Sequence, residues 1–193
     1  MGNFAKVSVN SLLPNSGSGI ILKTRTPAFF SKFDTEDVSK IREEVKLQIN
    51  SFVEKNIMSL DEIETININW IVKFIQSDIF KEIYIANKSE KLFKEKAIDY
   101  NIKLKNLFKD ENIEEDEKIM VVGIIDLFFE NENGEIILLD YKTDYVTKEN
   151  LEEVKARYKV QLDLYKSAIE DISGKKVAKK GLYLFGINEF VEI

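Results

Sequence analysis

Two apolar runs, each interrupted by an aspartate, constrain this chain more than any other feature. The first reads Val121-Val122-Gly123-Ile124-Ile125-Asp126-Leu127-Phe128-Phe129, and the second Ile136-Ile137-Leu138-Leu139-Asp140-Tyr141-Lys142. Both are rich in β-branched and aromatic residues, and the polar stretch Glu130 to Glu135, with Asn133-Gly134 inside it, separates them. That pattern predicts a β-hairpin. An ionised carboxylate inside a buried strand is costly unless it is paired or metal-bound, so both aspartates demand a compensating partner.

The turn decides whether the two acids meet. A two-residue Asn133-Gly134 loop would set Asp126 opposite Tyr141 and facing away from Asp140. A three-residue loop, Glu132-Asn133-Gly134 with Gly134 left-handed, pairs Asn131 with Glu135 and sets Asp126 opposite Asp140 on one face. We expect the second register. Lys142 then points to the same face by strand alternation. Opposed like charges repel, but they become a good site once a hard divalent cation lies between them.

The chain has neither cysteine nor histidine. This excludes disulfides, thiolate zinc sites, iron–sulfur clusters, imidazole bases and Ser-His-Asp triads. Any metal must be held by oxygen, which favours Mg²⁺, Mn²⁺ or Ca²⁺. The net charge of −6 argues against broad electrostatic binding of nucleic acid. The charge is uneven, however: residues 1–33 carry Lys6, Lys23, Arg25 and Lys32 with no acid. No apolar run approaches the ~20 residues of a membrane span, and the N-terminus lacks a signal-peptide core, so no membrane partner and a cytoplasmic location are expected.

At 193 residues the chain can bury one sizeable core. We expect one domain over residues 34–193 behind an N-terminal segment 1–33. Within that segment Val7-Ser8-Val9 can begin a strand, and Ser16-Gly17-Ser18-Gly19 reads either as a natural loop or as an engineered join. Apolar periodicity predicts helices over 35–56, from Ile68 to Phe80, and over 149–172 with Gly174 as its stop. Residues 91–107 read as extended, with Glu95 among Leu92, Phe93, Ala97 and Ile98, and residues 109–118 read as an acidic loop. Strands are expected at 181–185 and 190–193. This order predicts an α/β (α+β) fold, a mixed central sheet built on the hairpin and flanked by helices.

Two carboxylates and a lysine on one face, without a nucleophile–histidine pair, point to metal-assisted hydrolysis. Lys142 would stabilise developing negative charge or position a water. Read alone, a lysine beside two carboxylates is also a simple ion pair. Val154, Tyr158, Gln161, Tyr165 and Ile169 form one stripe of the last helix, with Gln161 and Tyr165 its polar or part-polar members.

Gly123-Ile124-Ile125-Asp126, Leu139-Asp140-Tyr141-Lys142-Thr143-Asp144 and Gln161-x-x-x-Tyr165 together resemble the RecB-type branch of the PD-(D/E)XK nuclease superfamily. The resemblance runs from about residue 40 to the end and is most specific over 120–165. It implies a restriction-endonuclease-like core with Asp126 and Asp140 as metal ligands, joined by the main-chain carbonyl of Tyr141, and Lys142 as the catalytic lysine. Gln161 and Tyr165 match a helix motif that lies against the active site and assists DNA binding and site geometry. Glu95 stands where the family often has an acid ahead of the hairpin. The implied cofactor is Mg²⁺, with Mn²⁺ as a substitute. The implied activity is exonucleolytic cleavage of DNA, mainly single strands, in double-strand-break repair and recombination. The implied partners are a helicase portion of the same parent chain and a second helicase–nuclease subunit.

Two departures stand out. The branch usually draws a histidine ligand from an upstream helix, and this chain has no histidine. No Gly-x-x-x-x-Gly-Lys-[Ser/Thr] phosphate loop is present either. Both fit a domain excised from a larger machine. The alternatives are a nuclease-fold module that binds DNA or a partner subunit without cutting, and a free-standing junction resolvase or restriction-type enzyme.

Overall fold

The computed structural model describes residues 6–8, 38–56, 59–103, 105 and 118–193. The Ser-Gly-Ser-Gly stretch, most of the expected acidic loop, and Glu36 and Asp37 of the first helix lie outside the described residues.

Six strands form one mixed sheet: β1 (Lys6–Ser8), β2 (Leu92–Lys103), β3 (Lys118–Glu130), β4 (Ile136–Lys142), β5 (Val177–Leu184) and β6 (Glu189–Glu192). Five helices accompany them: α1 (Val38–Glu54), α2 (Leu60–Glu64), α3 (Ile68–Gln76), α4 (Asp78–Lys88) and α5 (Leu151–Ser173). Residues from α1, α3 and α4 cover one face, packing with Leu127, Phe129, Ile137, Leu139, Tyr141, Tyr183 and Phe185. Helix α5 covers the other, over Ile125, Ile136, Leu138, Leu182 and Leu184. The expected mixed sheet flanked by helices is thus the observed fold. The β4–α5–β5 crossover joins parallel strands, as a connection of that length allows.

The helix expected from Ile68 to Phe80 is two helices, broken at Ser77. Apolar residues run on through Ile75 and Ile79, which hides the break. Ser77 is extended, with φ −72 and ψ 154. Its hydroxyl accepts the Phe80 N–H at 3.3 Å and donates to the Phe74 carbonyl at 2.5 Å. A serine that serves backbone groups on both sides ends one helix and caps the next. The turn lets Phe74 reach the sheet, with ring centroids 4.5 Å from Tyr183, 5.5 Å from Tyr141 and 5.7 Å from Phe185. At the far end of α5, Gly174 takes the left-handed cap expected of it, with φ 69.

The hairpin has the three-residue register. Leu127 pairs with Leu139 and Glu130 with Ile136, while the Asn131 N–H donates to the Glu135 carbonyl at 2.9 Å and the Gly134 N–H to the Asn131 carbonyl at 3.0 Å. Gly134 sits at φ 79. An L-residue there costs about 1–2 kcal/mol, so Gly134→Ala should lower the melting temperature by about 2–8 °C. An unchanged melting temperature would show that the loop readily takes another turn.

Glu130, at the hairpin's base, lies between the ammonium groups of Lys91, at 2.7 Å, and Lys175. Hydrogen bonds from Lys175 and then Lys91 outweigh desolvation and hold its carboxyl down at about 2, below the ordinary 4.5. A depressed carboxylate stabilises the fold above its ordinary value and ceases to do so as pH falls through its folded value. Glu130→Gln should therefore melt lower than the parent protein at neutral pH. The gap should narrow between pH 4.5 and about 2 and vanish below that; a gap that persists in acid would trace to packing instead.

Candidate active site

Strand β3 carries β2 along one edge. Its other edge is shared by β1, which pairs with Met120–Val122, and by β4, which pairs with Leu127–Glu130. Residues 123–126 lie between those two partners. Asp126 is therefore the last residue of a gap in the sheet, at the point where β4 parts from β3 and continues beside β5 alone. In place of the missing ladder bond, Asp126 Oδ2 accepts the Tyr141 N–H at 3.0 Å.

The sheet also changes face here. Val121 and Ile125 pack on the α5 side, whereas Leu127 and Phe129 pack on the opposite side. On β2, Ile98 and Ile102 face α5 while Leu92 packs on the opposite side. The β2–β3 ladder pairs Lys94 with Leu127 and Lys96 with Ile125 and skips the Glu95–Asp126 position between them. Glu95 carries the backbone change, with φ 48. A non-glycine residue held there stores strain of the order of 1–3 kcal/mol, of the kind that gathers at functional sites.

Beyond the gap, three charged side chains are taken out of water: Asp126 is 9% exposed, Asp140 1% and Lys142 4%. Asp140 Oδ2 lies 2.5 Å from Lys142 Nζ. That contact is an ion pair whose angles do not make a hydrogen bond, and Asp140 Oδ1, equally buried, has no hydrogen-bond partner among the described residues. Lys142 Nζ donates to Gln161 Oε1 at 3.4 Å, Gln161 Nε2 donates to the Tyr165 hydroxyl at 3.1 Å, and that hydroxyl donates to the Ile124 carbonyl at 3.0 Å. Donor and acceptor alternate along this chain, which sets the orientation of the Gln161 amide. Burial, reinforced by the charges of Asp140 and Asp126, pushes the Tyr165 hydroxyl up to about 12. It stays a donor throughout the useful pH range.

The structure brings together five of the expected residues, Asp126, Asp140, Lys142, Gln161 and Tyr165, with the backbone of Tyr141. The Tyr141 ring turns to the opposite face, centroids 5.5 Å from Phe74 and 5.9 Å from Phe185. Burial, then the Asp126 charge, pushes its hydroxyl well above the ordinary value, so only its main chain belongs to the site. Glu95 stands across from Asp126, exposed, and takes no part in the Lys142–Gln161–Tyr165 chain.

Tyr158 and Asp144 are additional. The Lys142 ammonium lies 4.2 Å from the centroid of the Tyr158 ring, a cation–π contact made strong by burial. The Tyr158 hydroxyl donates to Asp144 at 2.9 Å, and Arg157 approaches the same carboxylate at 3.5 Å. The signal was legible: Tyr158 precedes Gln161 by three residues and shares its stripe.

These residues fit a divalent cation. The donors are hard oxygens, and Asp140 Oδ1 is a buried, unsatisfied acceptor of the sort that a cation relieves. Among the described residues no group of three or more acidic, histidine or cysteine side chains is arranged to hold a metal ion, so a main-chain carbonyl would have to join the two carboxylates. Two carboxylates beside a main-chain carbonyl are the all-oxygen kind of donor set that hard divalent cations take. Among the described residues no helix is long and apolar enough to cross a membrane.

Comparison with known proteins agrees with this geometry. Residues 33–191 match the family model of the PD-(D/E)XK nuclease superfamily. The chain is also similar to bacterial proteins that are each named as a subunit of an ATP-dependent helicase/nuclease. With that of Clostridium acetobutylicum it shares 41% identity over 150 residues, covering 77% of this chain and 12% of the relative. With that of Clostridium beijerinckii the identity is 40% over 166 residues, 84% of this chain and 13% of the relative. With that of Clostridioides difficile it is 37% over 166 residues, 82% and 13%. The chain thus spans about an eighth of the length of these relatives. A family match over most of the chain, with an acid–acid–lysine site set in a parted hairpin, places this chain in the PD-(D/E)XK nuclease superfamily.

Proposed function

We propose that this chain is a metal-dependent DNA nuclease domain that hydrolyses phosphodiester bonds. The observation that carries the reading is the buried Asp126–Asp140–Lys142 group, in which Asp140 Oδ1 has no hydrogen-bond partner among the described residues. Asp126, Asp140 and the Tyr141 carbonyl would hold Mg²⁺, or Mn²⁺ in its place; such an ion polarises a phosphate and acidifies bound water. Lys142 is the catalytic lysine, placed to orient the attacking water and to offset charge developing on the phosphate. Water adds to phosphorus, the P–O ester bond breaks, and the leaving alkoxide takes up a proton. Gln161 and Tyr165 position Lys142 and the β3 backbone at Ile124. Glu95 is an acid at the rim of the site, across from Asp126.

The relatives' names, together with the small share of their length that this chain covers, support an exonuclease that works joined to a helicase motor in the same parent chain and beside a second subunit. Such a domain would receive single strands as the duplex is opened, in recombinational repair of double-strand breaks.

The test is cleavage of end-labelled single-stranded and duplex DNA in Mg²⁺ and in Mn²⁺, with EDTA as control. Metal-dependent shortening of the single strand is expected. A protein that cuts neither substrate in either metal would be a binding module that keeps the fold without the reaction.

A further inference from the structure

We propose that Tyr145 is a stacking platform for an unpaired nucleobase of the DNA strand entering the site, an inference that rests on the nuclease reading above. Of the seven tyrosines in the chain, five are partly or fully buried packing residues and a sixth, Tyr84, is half-buried; Tyr145 alone is exposed, at 85%. It is the most exposed large hydrophobic side chain among the described residues.

Single exposed apolar residues are common on any surface. What sets this one apart is how firmly its backbone is held. On its N-terminal side the Asp144 carboxylate is gripped by the Tyr158 hydroxyl at 2.9 and 3.1 Å and by Arg157 at 3.5 Å. On its C-terminal side Val146 is buried, 5% exposed, in the core beneath α5. The Tyr145 carbonyl accepts from Asn150 Nδ2 at 3.1 Å, and the same Asn150 side chain takes the Thr147 N–H at 2.7 Å. Below the loop, a Cβ on Gly186 would come within 3.0 Å of the Asp144 carbonyl, so the loop backbone rests directly on that glycine. The main chain is braced on every side while the ring projects into solvent. A ring with only two side-chain torsions, on a backbone already fixed, loses little entropy when a flat partner covers it.

Position supplies the second argument. Tyr145 follows Lys142 by three residues and is peptide-bonded to Asp144, whose partner Tyr158 lies 4.2 Å from the Lys142 ammonium. One continuous set of contacts therefore joins the backbone that carries the ring to the site. Charge supplies the third. With a net charge of −6 the chain has little general attraction for phosphates. A strand-binding surface of this kind needs a contact that is indifferent to charge and tolerant of sequence, and base–aromatic stacking is both. Bases of an intact duplex are already stacked and unavailable, so the ring would favour single strands and frayed ends.

The experiment measures binding of a fluorescein-labelled oligothymidylate, and of the same strand made abasic, by anisotropy in EDTA. The proteins are the wild type, Tyr145→Ala, Tyr145→Phe and Tyr145→Trp, each then assayed for cutting in Mg²⁺. Tyr145→Ala should weaken oligothymidylate binding about tenfold, the size of one stacked base, while Phe and Trp hold it near the wild-type value. Removing the bases should weaken wild-type binding as much and leave Tyr145→Ala unaffected. Wild-type affinity in Tyr145→Ala, two losses that simply add, or no binding by any form would overturn the proposal. Coupling between Tyr145 and the bases without any cutting by the wild type would sustain it and sink the nuclease reading alone. Cutting without that coupling would do the reverse.

Discussion

Asp140→Asn is expected to lower metal-dependent cleavage of single-stranded DNA by about 10³-fold or more, because it removes a carboxylate that would bind the cation on which the chemistry depends. The substitution keeps the shape of a side chain that is 1% exposed. Its amide oxygen can still face the Lys142 ammonium, so the fold should survive with a loss of about 1–3 kcal/mol. The measurement pairs single-turnover cleavage in Mg²⁺ with thermal melting in and out of Mn²⁺. The wild type should gain stability from Mn²⁺, as any protein does from a ligand that binds only its folded form, and Asp140→Asn should gain none. Undiminished cutting by the variant would remove Asp140 from the mechanism.

Lys142→Met should separate metal binding from chemistry. The lysine is 4% exposed and its ammonium is 2.5 Å from Asp140 Oδ2. Replacing it with an apolar chain of similar length leaves Asp140 buried beside Asp126 with no counter-charge. Breaking a buried pair in this way costs about 3–5 kcal/mol, or about 6–20 °C for a domain of this size. A divalent cation would restore the lost charge balance. Mn²⁺ should therefore raise the melting temperature of Lys142→Met by more than it raises that of the wild type, while cleavage stays about 10²–10⁴-fold down. A rise no larger than the wild type's would show that lysine and cation do not share Asp140.

The central hairpin was legible because its signals are local. Asn133-Gly134 and the apolar runs announce the hairpin but allow two registers; the buried aspartates favour the one that puts Asp126 and Asp140 on one face, and that register is observed. The Gly174 cap and the stripe of α5 were legible for the same reason. Features that depend on distant partners were not. Ser77 breaks an apolar periodicity that carries on through Ile79, and only its side-chain hydrogen bonds reveal it. Glu95 sits in a run that alternates like a plain strand, yet its left-handed backbone falls at the position where both β2 and β3 change face. The stripe of α5 marks Tyr158 as facing inward, but not that its ring lies against Lys142, which arrives from strand β4. The parting of β4 from β3, which gives Asp126 its contact with the Tyr141 N–H, appears only when β5 takes over the pairing.

The most direct test is a Mn²⁺ titration of the wild type, Asp126→Asn, Asp140→Asn and the double variant, with bound metal counted by electron paramagnetic resonance and strand cleavage assayed at each point. Cleavage should rise in step with bound Mn²⁺ in the wild type, and both should be lost in the double variant. Cleavage by the double variant, or Mn²⁺ binding that it leaves undiminished, would contradict the assignment of Asp126 and Asp140 as the metal site of a nuclease.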